Sequence, residues 1–141
     1  MRCKRFDGGE LLVRIDHGED VLATLVKALT QEGVFAGSFS AIGAVSLAEL
    51  GLFDPETKTY VKRTFEGPIE IVSLSGNICK ADDGGAFIHP HAVISDRQMQ
   101  SFGGHLFKAI ADPTCEVCVY PWQGNVGRAL DPRTGLKLLD L

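Results

Sequence analysis

No stretch of this 141-residue sequence approaches the roughly 18 consecutive apolar residues that a bilayer-spanning helix needs, and its start lacks the apolar segment of a secretory signal. Those absences predict a cytoplasmic protein with no membrane partner. A surplus of positive charge is also missing: 14 Lys and Arg stand against 18 Asp and Glu, giving a formal charge of −4 and a pI near 5.5. Affinity for polyanions comes mostly from cations that displace counterions at phosphates, so this balance argues against strong nonspecific DNA binding. The basic start, Arg2, Lys4 and Arg5, is short and without interleaved aromatics, and it reads as a solvated terminus. Cysteine is sparse, at Cys3, Cys79, Cys115 and Cys118, and in a cytoplasmic composition thiols stay reduced, so no disulfide is expected. Linker-like stretches, internal repeats and low-complexity tracts are absent too, which points to one domain over residues 1–141.

What is present is a 45% apolar chain with 16 glycines, enough for a filled core joined by tight turns. Glu10 to Ile15 reads as an opening strand that ends in the turn residues Asp16, His17 and Gly18. Val21, Leu22, Leu25, Val26 and Leu29 then recur at helical spacing, with Glu19 and Asp20 in front and Gly33 as the stop. From Ala36 onward the texture is that of short strands: 37–42, 44–53, 60–65, 69–78, 86–94, 104–111 and 115–120. Asp54-Pro55-Glu56-Thr57 and Asp82-Asp83-Gly84-Gly85 supply turns suited to joining adjacent strands. The expected class is α+β, a largely antiparallel sheet with one main helix near the N-terminus. One helix covers one face only, so apolar surface should remain for sheet curvature or another subunit to bury. The tail, Asn125 to Leu141, is apolar enough to dock on the body.

Three of the four histidines, His89, His91 and His105, fall within seventeen residues. Residues two apart on a strand share a face, so His89 and His91 project together. A hairpin closed by Ser95 to Ser101 and centred near Gln98 would set His91 opposite His105 and His89 opposite Phe107, bringing three imidazoles together. A one-residue slip would send His105 to the other face. Pro90 has no amide donor and belongs at an edge, bulge or rim. Three neutral imidazoles with a fourth position open are the pattern of a catalytic-type zinc site, although imidazole also suits nickel, copper or iron. The competing reading is of cross-strand histidines that pack and hydrogen-bond. His17, in a turn between acidic residues, is left out.

Other signals are weaker. Cys115-Glu116-Val117-Cys118 has C-x-x-C spacing, but on a strand its thiols face opposite ways, and both read as buried and inert. Gly103-Gly104 is too short to cradle a phosphate, and close backbone approach accounts for it. Glu49, Glu66, Glu70 and Glu116 are candidates for a general base or for support of the histidines.

The runs Gly37 to Val45 and Glu70 to Ile78, together with His89-Pro90-His91, Gly103-Gly104-His105-Leu106 and Thr134-Gly135-Leu136, resemble the PPC domain shared by plants and prokaryotes, in its prokaryotic single-domain form. The resemblance implies an antiparallel α+β fold, a homotrimer, and zinc held through the H-x-H and G-G-H positions, here His89, His91 and His105. Plant members join the domain to an AT-hook, and prokaryotic members have been described as DNA-binding. This chain has no Arg-Gly-Arg-Pro hook and no basic stripe. The leading expectation is a metal-binding homotrimeric module linked to DNA through partners. The alternatives are a zinc-dependent enzyme of hydrolase or lyase type, and a trimer that binds a small anion without chemistry.

Overall fold

In the computed structural model, which describes residues 1–141, eight strands and one helix follow in the order β1 (Arg2–Arg5), β2 (Leu11–Asp16), α1 (Val21–Gln31), β3 (Gly37–Asp54), β4 (Thr59–Lys80), β5 (Ala86–Ser95), β6 (Ser101–Pro121), β7 (Gly127–Leu130) and β8 (Lys137–Asp140). The helix starts where Asp20 caps it, its carboxylate accepting from the Ala23 amide at 2.9 Å. It stops at Gly33, whose positive φ lets Val34 N donate back to Leu29 O. Its buried stripe is Val21, Leu25, Ala28 and Leu29.

The main sheet runs β1-β2-β6-β3-β4-β5, and β5 pairs again with β6, so β3, β4, β5 and β6 form a closed ring. All pairings are antiparallel. Alternation sends Leu11, Val13, Ile15, Phe39, Ala41, Val117 and Val119 inward to a core shared with the helix. An outward face keeps Leu12, Ile42, Val93 and Tyr120 exposed.

The antiparallel sheet and single helix agree with the expected class, but the strands are longer than the sequence suggests. The pairs 37–42 and 44–53, 60–65 and 69–78, and 104–111 and 115–120 are each one continuous strand, bent where the register shifts. Gly43 marks one such bend: a Cβ there would come within 2.4 Å of the Thr114 carbonyl oxygen, so only glycine permits that crossing. Two further corrections concern the ends. Arg2 to Arg5 is a strand, paired with β2, because its backbone completes the β2 edge even though all four side chains stay exposed. The tail docks, but as a separate hairpin of β7 and β8, tied to the sheet by Lys80 N donating to Val126 O at 2.8 Å. No helix is long and apolar enough to cross a membrane.

Candidate metal centre

β5 and β6 position the three histidines. His91 lies opposite His105, as the hairpin count predicts, and Asn77 and Ser75 of β4 flank His89 and His91 from the other side. His89 does not pair with Phe107. The β5–β6 ladder ends at His91, and Phe107 is the extra residue of a bulge between Leu106 and Lys108 as β6 moves onto β3. Pro90 sits where β6 departs, so its missing amide costs no ladder bond on that side. Gly104 lets β3 come close: a Cβ there would lie 2.8 Å from Gly51 O, whereas one on Gly103 would meet only ordinary contacts. These approaches seat His105 beside its partners.

The imidazole centroids are 5.1 Å apart for His89 and His91, 5.2 Å for His89 and His105, and 5.4 Å for His91 and His105. One ring nitrogen from each lies within 4.8 Å of the other two. His91 is exposed, and the other two are half-buried. Burial, then the neighbouring His91 and Arg128, holds His89 below its ordinary range. Burial again leads at His105, followed by His89, His91, Lys62 and Arg128, and pushes it down to about 4. His105 is therefore a neutral imidazole, the form that ligates metals. Its Nδ1 is buried and without a hydrogen-bond partner.

That orphaned nitrogen and the converging donors fit a transition-metal ion. Nitrogens bound to tetrahedral zinc at about 2.0–2.1 Å are themselves roughly 3.3 Å apart, so the rings would draw closer together around an ion. Beside His89 and His105 opens a cavity of about 510 Å³, walled partly by Tyr60 and Phe87 of the sheet and partly by Arg128, Leu136 and Leu138 of the tail. Tyr60 and Phe107 pack on the His105 ring, at 5.5 and 4.6 Å between centroids.

None of Glu49, Glu66, Glu70 and Glu116 lines this cavity. Glu49 instead accepts from Lys62 Nζ at 2.8 Å. The carboxylates at the cavity are Asp82 and Asp83, residues whose sequence signal is that of a turn. Arg128 also goes unmarked in the sequence, because only the folding of the tail brings it to the histidines. His17 lies elsewhere, exposed and 3.2 Å from Asp112. Cys115 and Cys118 do face opposite ways, but only Cys115 is buried; Cys118 is exposed because it lies on the outward face of β6.

The sequence profile of the Plants and Prokaryotes Conserved (PCC) domain matches residues 5–123. A solved structure from Bacteroides thetaiotaomicron, described as a candidate DNA-binding protein, has a TM-score of 0.92 and 27% identity, over 99% of this chain and 96% of that one. A metal-containing protein from Archaeoglobus fulgidus is 39% identical, with a TM-score of 0.86 over 98% of this chain and 97% of its own. The bifunctional protein GlmU of Synechococcus sp. strain JA-3-3Ab is 35% identical over 95 residues, 67% of this chain. The chain spans 14% of the length of that curated relative.

Proposed function

The chain belongs to the Plants and Prokaryotes Conserved domain family, and from that premise we propose a cytoplasmic, single-domain, homotrimeric metal-binding module in which His89, His91 and His105 hold zinc. The observation that carries this reading is the convergence of three imidazole nitrogens within 4.8 Å. The 39% identity to a metal-containing archaeal protein supports it. When bound, zinc polarises an oxygen ligand as a Lewis acid. The chain's own residues supply the rest: burial keeps His105 neutral, Gly104 lets β6 approach β3, and Gly51 leaves room for the Phe107 ring that packs on His105.

The outward apolar residues Leu12, Ile42, Val93 and Tyr120 support association of copies, because such surface is costly to leave in water. Association with DNA follows by likeness to the candidate DNA-binding relative. With a net charge of −4 it would run through partner proteins and not through phosphate contacts of this chain. A second reading, a zinc-dependent hydrolase or lyase, is favoured by the cavity that adjoins His89 and His105.

Elemental analysis of the purified protein, alongside the variant with His89, His91 and His105 all changed to Ala, tests the centre. The expected result is about one zinc per chain in the parent and none in the variant. Equal metal in both, or none in either after zinc is supplied, would end this reading.

A further inference from the structure

Two buried side-chain polar atoms lack a hydrogen-bond partner, His105 Nδ1 and Arg128 Nη1, and both residues wall the same cavity. An unpaired buried donor on a charged group is costly, so the position of Arg128 calls for an acceptor that the protein does not provide. The rest of its guanidinium is engaged. Nε donates to the Lys137 carbonyl oxygen at 2.9 Å and Nη2 donates to the same atom, while the group lies 4.9 Å from the centroid of the Phe87 ring. One nitrogen is left.

The charges around it narrow the ligand. Lys137 is paired with Asp82, Asp83 accepts from the Gly85 amide at 3.0 Å, and Lys80 Nζ lies 5.8 Å from the centroid of the Phe35 ring. Arg128 has no carboxylate partner, and the three cations and two carboxylates that line the cavity leave one net positive charge. A single free nitrogen and a single net charge suit one oxygen of a monoanion better than a dianionic phosphate, which rewards several donors. Phe87, Leu136 and Leu138 offer apolar wall to a short hydrocarbon part.

We propose that the cavity binds a small apolar monocarboxylate, its carboxylate on Arg128 and a neighbouring oxygen directed at the three histidines. This assignment rests on the metal reading only for that second oxygen. Arg128 Nη1 is closed off from solvent, and the hairpin that carries it contributes no residue to the core. Admitting the ligand therefore takes a shift of the hairpin and leaves the sheet in place.

Calorimetric titration with 2-oxobutyrate, and in parallel with inorganic phosphate, tests the site on the zinc-supplied parent, Arg128→Gln, Arg128→Lys and Leu138→Asp. Expected are saturable 2-oxobutyrate binding, at least tenfold weaker in Arg128→Gln and in Leu138→Asp, partial recovery in Arg128→Lys, and weaker binding of phosphate. Zinc content should be the same in all four proteins. Unchanged affinity in Arg128→Gln, or tighter binding of phosphate, would overturn the assignment. No binding by a protein that holds one zinc per chain would overturn it too and leave the metal reading intact. Arg128-dependent binding in a protein that retains no zinc would uphold the anion site and end the metal reading.

Discussion

The closed sheet and the C-terminal hairpin wall the same cavity but are built in opposite ways. The sheet, the helix and Val34 in the connection between them supply all 27 residues of the core, from Leu11 to Val119. No residue of β7 or β8 is buried, and polar contacts on the rest of the chain hold the hairpin: the Lys80 to Val126 backbone bond and the Lys137–Asp82 ion pair. The PCC match ends at residue 123, before the hairpin begins. The part that places the histidines is thus fixed by packing, and the part that faces whatever approaches them is held lightly. Changing the second should alter what is recognised without unsettling the first.

The contrast breaks most visibly in the core. Phe39 is 2% exposed, with its ring against Gly76, and Phe39→Ala should cost about 3–5 kcal/mol in denaturant unfolding, enough to threaten folding outright. Next in size is the metal-linked part. With free zinc at about 100 times its Kd, the parent should gain about 2.7 kcal/mol over the metal-free protein, and the triple histidine variant should gain nothing in the same melt.

A smaller effect comes from proton linkage at His105. Its folded value lies near 4, below the ordinary 6.5, so over that interval the unfolded chain binds the extra proton. Melting temperature of the metal-free protein should therefore fall as pH drops from about 6.5 to about 4, and His105→Gln should lose that part of the slope. Smallest should be Lys137→Ala, which removes an exposed ion pair of the hairpin. Less than about 1 kcal/mol is expected in unfolding, although the cavity wall around Arg128 is disturbed. A loss as large as that of Phe39→Ala would show that the hairpin is part of the core's cooperative unit and erase the distinction.

The same division governs what could be read from the sequence. His89 and His91 announce a shared face because strand geometry has period two, and counting back from the Ser95 to Ser101 turn finds His105. The long strands were hidden because Gly43, Gly67-Pro68 and Asp112-Pro113 carry turn chemistry, yet the backbone bulges there and stays in the sheet. The hairpin left no pattern to follow, since strands that bury nothing need no alternation of apolar and polar residues. Arg128 was illegible for that reason, and so was the part of Asp82 and Asp83 in the cavity. Their roles depend on a pairing that the apolar pattern does not encode.

The first strand bears on a different matter, the behaviour of the protein in concentrated solution. Closure of β5 onto β6 removes one free border of the main sheet and leaves β1 as its terminal strand. An open strand border is a template on which another chain can add itself and begin a fibril. Arg2, Lys4 and Arg5 place three cations on a four-residue border strand, and a second copy approaching in register would bring like charges together. The basic start then acts as a guard against self-aggregation, keeping the surface available for ordered association clear of that margin.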